Sequence, residues 1–456
     1  MPVVDADPAA QPVGRSQSRR IPAFASAAVS TFGTQLAVAV LSFASVLVVA
    51  RALGPAGRGE VALLTTISML SSTVGLLGVD EANVNFAGTD PSLRRRLATN
   101  SLLLATGAGG VCVGLLAALM SMFPSLGGHE ASWLRWLALV AIPFLILKIY
   151  LRFLVGADFR FGMSNVSWLL PPLTAVVVNV TLAALGALSA ATAFGTWVGG
   201  HVVATLLLVA YVGRRSAGFG RPDLRLARRT LGFGARSHPG RLMMAGNYRL
   251  DQWFVGVMAG TRELGLYSVA VAWSEILFYL PTALVIAQRP YLVRAERADA
   301  SRRAARVFRA SAVLTAAMTA VLFVLAPWLC IAFFGGSFAA SADQLRLLSL
   351  GAFGILALKL LGNAVTAQRR PGLATVGATA AFVATVVLDL LLIPRYGGIG
   401  AAAASAIAYT LGGVVIAVVF GRFFGTRSTL LVPRPTELPW LARAVWTPVA
   451  RHAKAR

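Results

Sequence analysis

The sequence predicts an all-α integral membrane protein of about 12 transmembrane helices, in two six-helix lobes related by a pseudo-two-fold axis along the membrane normal. Three observations predict it. Hydrophobic residues fill 57% of the 456 positions and charged residues 13%, with a mean hydropathy of +0.74, an apolar share too large for a soluble domain to hide from water. Apolar runs of about 20 residues fall near 27–50, 61–79, 100–122, 134–155, 167–188, 194–213, 242–259, 266–288, 309–333, 343–366, 372–393 and 399–421. The segment ALGPAGRGEVALL (Ala52 to Leu64) is echoed in MAGTRELGLYSVAV (Met258 to Val271). In both, a glycine ends an apolar helix and a second follows five residues on, Gly54 to Gly59 and Gly260 to Gly265. A motif repeated in the same setting marks a duplicated unit.

In chain order, residues 1–23 are rich in Pro, Ser and Arg and are expected to be a disordered cytoplasmic tail. The run that follows is too long for a signal-peptide core, so it stays as the first span. Residues 24–213 form an N-terminal six-helix lobe, 214–241 a basic cytoplasmic linker, 242–421 a C-terminal six-helix lobe and 422–456 a basic cytoplasmic tail. Six spans per lobe give both lobes the same orientation, which makes them parallel repeats. In the tail, Leu438 to Arg456 sets Leu438, Leu441, Val445 and Val449 at helical spacing beside Trp440 and Trp446. An interfacial helix and a proline-broken tail both fit that pattern.

The net charge of +24 is decided by where the cations lie. Thirty-three of the 41 fall in the tails and in alternate loops, while the opposite loops carry only Arg51, Arg58, Arg135, Arg262 and Arg395. The positive-inside rule then puts both termini in the cytoplasm and both glycine turns outside, and nucleic acid is not needed to explain the charge. Only three of the 41 cations are lysines, as in GC-rich bacterial genomes, and the location expected is the bacterial plasma membrane. Cys112 and Cys330 each lie within a span and read as packing residues. His129, His201, His238 and His452 have no zinc spacing, so no metal and no cofactor is expected. No lysine sits in a Walker A pattern, which argues against ATP hydrolysis by this chain. The outer loops are too short to hold an acceptor glycan, which argues against a polymerase or glycosyltransferase and for a non-enzyme.

Ionisable groups inside spans are functional candidates because burying them is costly. Arg249 and Asp251 lie in span seven, Glu275 in span eight, Lys359 in span ten and Asp389 in span eleven. Two residues apart on a helix is about 200°, so Arg249 and Asp251 face opposite ways, Asp251 with Asn247 and Arg249 with Gln252 and Trp253. Counting rise per residue sets Arg249 and Asp251 roughly 10 to 14 Å above the inner boundary and Glu275 roughly 18 Å. An Arg249–Glu275 pair is then within reach; it serves either as a packing pair or as a cation on a water-filled cavity that meets a phosphate. Lys148 and Arg152 lie one turn apart at the inner end of span four, either snorkelling to headgroups or lining an inward-open cavity. Lys359 and Asn363 share a face of span ten. Asp389 stands just before Pro394, where capping or interface packing suits it. Gly110 with Gly114, Gly195 with Gly199 and Gly256 with Gly260 have the spacing of close helix contacts. Pro143, Pro171, Pro172, Pro281 and Pro327 interrupt spans or their ends.

A third segment, LLLIPRYGGIGAAAAS (Leu390 to Ser405), ends span eleven in Ile393-Pro394 and opens span twelve on small residues. With the two glycine turns it makes the chain, over roughly 24 to 421, similar to the Wzx-type polysaccharide flippases, which belong with multidrug and toxic compound extruders and lipid II flippases to one superfamily. The first turn resembles that family's LGP-x-x-x-G pattern. The second resembles its N-x-x-x-D and G-x-Y pattern, with Asn247, Asp251 and Gly265-Leu266-Tyr267 in the matching places. Glu60-Val61 departs from the usual Leu-Tyr, Asp389 stands where asparagine is commoner, and twelve spans replace a frequent fourteen.

The resemblance implies transfer of an undecaprenyl-pyrophosphate-linked oligosaccharide from the inner to the outer leaflet by alternating access, for cell-surface polysaccharide. Its partners would be the lipid-linked oligosaccharide, membrane lipids and other polysaccharide assembly proteins. Arg249 is the expected pyrophosphate partner, with Lys359, Asn363, Lys148 and Arg152 assisting, and Asp251 or Glu275 the expected site of coupling to a proton or sodium gradient. Gly54, Gly59, Gly260, Gly265 and Pro394 are expected to shape turns. A small-molecule or multidrug exporter of the same superfamily is the alternative, and it calls for a mainly acidic cavity. A membrane glycan polymerase and a non-transporting scaffold complete the alternatives.

Overall fold

The computed structural model describes residues 17–123, 132–157, 161–215, 218–426 and 428–432, with Glu437 and Pro439. Thirteen α-helices account for nearly all of these: α1 (Gln17–Gly75), α2 (Val79–Thr89), α3 (Arg94–Met122), α4 (Ser132–Gly156), α5 (Phe161–Ala184), α6 (Ala190–Arg215), α7 (Leu224–Met258), α8 (Thr261–Ser274), α9 (Ile276–Arg294), α10 (Arg297–Phe334), α11 (Ser341–Leu350), α12 (Ala352–Ala367) and α13 (Pro371–Phe424). Among the described residues, nine helical stretches are long and apolar enough to cross a membrane. Two of them, Ser30–Gly75 and Pro371–Phe424, each hold two of the expected spans on either side of a non-helical glycine, Gly54 in α1 and Gly397 in α13. The seventh expected span lies in α7, which is not among the nine because Asn247, Arg249, Asp251 and Gln252 dilute its apolar run. Large apolar side chains left exposed on one stripe of a helix, such as Val111, Leu115 and Leu119 of α3, are the lipid face of a multi-pass membrane protein.

Packing sorts largely by sequence. Helix α1 packs on α4, α5 and α6, and α3 on α4; later, α13 packs on α7 and α12, and α10 on α11 and α12. The two halves meet chiefly where α1 touches α8 and α7, over a core that includes Leu63, Val255, Leu264, Tyr267, Cys330 and Phe334.

The two glycine turns adopt nearly the same backbone. Gly54 has φ 66° and ψ −173°, and Gly260 has φ 88° and ψ 170°, a region open in practice only to glycine. The second glycine of each motif has a different purpose. A Cβ on Gly59 would lie 1.7 Å from the carbonyl oxygen of Thr261, and one on Gly265 would lie 1.8 Å from that of Pro55. Each turn thus presses its first helical residue into the other's second glycine, so the contact is reciprocal. Beside it, the Arg51 guanidinium donates to the carbonyls of Phe333, at 2.5 Å, and Ala332, at 2.6 Å, which satisfies orphan carbonyls of the last turn of α10.

Several expectations change. From Leu224 onward the expected linker is helix, continuous with span seven, so position 241 marks no break. Arg241 donates both of its terminal nitrogens to the fully buried Asp80 of α2, an element absent from the sequence reading. Residues 17–23 of the expected disordered tail begin α1; the rest of that tail, and all of Leu438 to Arg456 except Pro439, fall outside the described residues. Pro394 lies within α13 and the break comes three residues later, at Gly397. The Gly110–Gly114 and Gly195–Gly199 pairs face open space; the neighbouring Gly109 and Gly200 are the ones pressed against Pro143 and Pro171. Helices α4, α5 and α10 run on through their prolines.

Candidate functional site

A cavity of about 440 Å³ opens between the halves. Its walls come from α1 on both sides of Gly54, from α6, and from α7, α8 and α9. Because α7 turns its polar face inward here, Arg249 and Gln252 reach the cavity, and Glu275 joins them from the break between α8 and α9. The Arg249 guanidinium lies 2.9 Å from the Glu275 carboxylate, with both side chains about one-third exposed (31%). The pair inferred from helix rise is therefore formed, and it borders the cavity.

Arg58 also lines the cavity, one turn into the helix that follows Gly54. Its Nε is buried with no hydrogen-bond partner among the described residues. Sequence reasoning assigned Arg58 to an outer loop; the usable signal was its position four residues past Gly54, already inside the next helix. Ser42, Thr65, Thr66 and Ser268 add hydroxyls, and Phe43, Trp197 and Tyr279 add aromatic faces. The lining therefore carries two arginines against one carboxylate.

Asp251 faces away from the cavity. It is 2% exposed and accepts from the Tyr267 hydroxyl at 2.5 Å, the Ser405 hydroxyl at 3.2 Å and the Gln252 N–H at 2.7 Å. One turn earlier on α7, the Asn247 amide donates to the Ala378 carbonyl at 3.1 Å, and its oxygen accepts from Thr385 at 3.3 Å. Asp389 lies one turn beyond Thr385 on α13, so the register sets it beside Asp251. It is fully buried (0% exposed), and neither carboxylate oxygen has a hydrogen-bond partner among the described residues. A capping role for Asp389 would supply donors to its carboxylate, and none is present among the described residues.

The other expected site residues lie elsewhere. Lys359 donates to Thr282 at 2.7 Å and to the Phe278 carbonyl at 3.4 Å, which ties α12 to α9. Asn363 shares its face and is buried. Neither borders the central cavity. Lys148 is buried in α4, and Arg152 stacks on Trp168, its guanidinium carbon 4.6 Å from the ring centre. Among the described residues, no three His, Cys, Asp or Glu side chains converge to hold a metal ion.

The fold is that of known transporters. Lipid II flippase MurJ in an inward closed conformation superposes with a TM-score of 0.71 at 12% identity, covering 92% of this chain and 90% of that one. A multidrug resistance MATE family transporter of the MOP superfamily, inward-facing, superposes at 0.69 with 14% identity, covering 85% and 94%. An outward-facing conformation of such a transporter gives 0.61 at 14% identity, covering 90% and 96%. No curated protein matches in sequence. The model of a family described as polysaccharide biosynthesis protein matches residues 48–343. That match takes in both glycine turns and the central cavity apart from its lining by Leu36 to Val46 of α1, and the chain belongs to this polysaccharide biosynthesis family.

Proposed function

We propose that the chain flips an oligosaccharide linked through pyrophosphate to undecaprenol, or to a similar polyprenol, from the inner to the outer leaflet. One observation carries the reading: a cationic, hydroxyl-lined and aromatic-lined cavity that opens sideways to lipid. Its rim is Leu36 and Val40 of α1 and Tyr279 of α9, exposed by 53%, 60% and 43%. Leu36 and Tyr279 lie at the same depth, roughly 13 Å above the inner boundary by helix rise. A prenyl chain can stay in the bilayer there while its head enters the cavity. Inside, Arg58 and Arg249 match the charge of a pyrophosphate, and the hydroxyls replace water around the sugars. The Glu275 carboxylate holds Arg249 at 2.9 Å and is displaced when the anion arrives. A mainly acidic cavity, which an exporter of cations calls for, is the opposite of this lining.

Movement follows from the turns. The reciprocal contact of Gly59 with Thr261 and Gly265 with Pro55 closes the side on which the glycine turns lie. In this reading two six-helix lobes rock about the cavity, the glycine turns part on the outer side, and both termini stay cytoplasmic. Asp251 and Asp389 serve as the coupling site: two buried carboxylates side by side, neither ion-paired to a cation among the described residues, are stable only when one holds a proton or both share a cation.

The test is transbilayer movement in proteoliposomes of a polyprenyl-pyrophosphate disaccharide and of a lipophilic cationic dye. The proposal expects movement of the first alone. Movement of the dye with no movement of the glycolipid would sink it.

A further inference from the structure

A second cavity, of about 750 Å³, lies at the inner end of the first half. Its lining draws on α1, α2, α4 and α5 and on the first residue of α3. These segments lie toward the inner boundary: Thr31 is four residues into α1's expected span and Gln35 one turn deeper, Arg94 opens α3, Arg152 and Phe153 close α4, and Asn165 and Trp168 lie in the first turns of α5. Arg152 does not snorkel outward. Its guanidinium is held across the Trp168 ring at 4.6 Å and the Phe153 ring at 5.2 Å, which fixes the fork and leaves its edge free to bind. Asn165 is 8% exposed, and its amide donates to Ser30 at 3.3 Å. The ring-held Arg152 guanidinium, with the amides of Gln35 and Asn165 and the hydroxyls of Thr31 and Ser164 in the same pocket, is the chemistry of a phosphate receptor.

The two cavities are consecutive along α1. Gln35 lines the inner one and Leu36 the central one, and Thr31, Gln35, Ala39 and Phe43 form a single four-residue stripe on that helix. We infer that the inner cavity is a loading site, which takes the phosphate head of an inner-leaflet lipid on Arg152 before it moves outward along α1 to Arg249 and then toward Arg58. The assignment of that lipid as the transported glycolipid rests on the function proposed above; the phosphate chemistry of the pocket does not. A phospholipid head offers the same phosphate group, and the experiment separates the two sources.

The full chain in detergent is titrated with undecaprenyl pyrophosphate and, separately, with phosphatidylglycerol, and bound lipid is counted by native mass spectrometry. Wild type is compared with Arg152→Gln, Arg152→Lys and Arg249→Gln, with Arg346→Gln as a control for lost charge and melting curves as a control for folding. The inference expects Arg152→Gln to weaken lipid-phosphate binding about tenfold, with recovery in Arg152→Lys and no change in Arg346→Gln. Loss confined to the prenyl pyrophosphate assigns the substrate as the source; equal loss of both lipids, or loss of phosphatidylglycerol alone, assigns a phospholipid. A folded Arg152→Gln that binds both lipids like wild type overturns the inference. If Arg249→Gln alone lowers prenyl pyrophosphate binding, the flippase reading stands and the loading site falls. If no prenyl pyrophosphate binds while phosphatidylglycerol is lost in Arg152→Gln, the site stands and the flippase reading falls.

Discussion

Arg249 and Asp251 are two residues apart on one helix and sit in opposite surroundings. Arg249 is one-third exposed, borders a cavity and has a single carboxylate for company. Asp251 is 2% exposed and is enclosed by three donors, with a second buried carboxylate, Asp389, in register one helix away. Helix geometry alone makes this division, since about 200° separates the two side chains. The difference teaches what each charge is for. A charge left on a cavity wall with one displaceable partner is available to a ligand, whereas one buried among fixed hydroxyls holds helices together and changes state only when a proton or small cation reaches it.

The contrast can be broken from either side. The largest effect on stability is expected from Asp251→Leu, which leaves the buried Tyr267 and Ser405 hydroxyls with only a long contact to each other, at 3.4 Å. Thermal melting in detergent should fall by the equivalent of about 3 kcal/mol, while Arg249→Leu shifts it far less. Glu275→Gln removes the internal competitor of the ligand and should tighten binding of inorganic pyrophosphate about tenfold by calorimetry; unchanged affinity would mean that the Arg249–Glu275 pair only fixes packing. Asp389→Asn should leave melting unchanged or raise it slightly, because its carboxyl has no hydrogen-bond partner to lose among the described residues, and it should abolish the dependence of transport on the proton or sodium gradient. A gradient dependence equal to wild type would remove Asp389 from coupling.

The smallest effect lies outside the membrane, at the start of the same helix. Asp223 caps α7 by accepting from the Leu226 N–H at 2.9 Å. That bond holds its carboxyl below the ordinary aspartate value, with help from Arg96. A lowered folded-state value means that the cap is fully effective above the ordinary aspartate range and is lost as pH falls through the lowered one. Hydrogen exchange at the first turn of α7 should therefore accelerate only in strong acid, and Asp223→Ala should show the fast rate at neutral pH.

Much of this contrast was legible in the sequence. The 200° separation, the Arg249–Glu275 reach and the Asn247–Asp251 face follow from helix rise and rotation, which no tertiary contact alters. Both glycine turns were legible because only glycine tolerates the backbone they adopt. What was not legible depends on register between distant helices. That Gly59 and Gly265 receive each other's turns, that Asp389 meets Asp251, and that Arg58 shares a wall with Arg249 all require knowing how α1, α8 and α13 pack. Lys359 shows the same limit from the other direction: its face was right, but Thr282 and the Phe278 carbonyl, which take its charge out of the cavity, come from another helix.

The central claim is that the Arg249 side of α7 holds the travelling pyrophosphate. Its most direct test is the rate of flipping of a polyprenyl-pyrophosphate disaccharide in proteoliposomes by Arg249→Ala, with melting measured on the same preparation. The account predicts a rate lower by about a hundredfold at nearly unchanged melting temperature. A rate equal to wild type in a stably folded Arg249→Ala protein would contradict it.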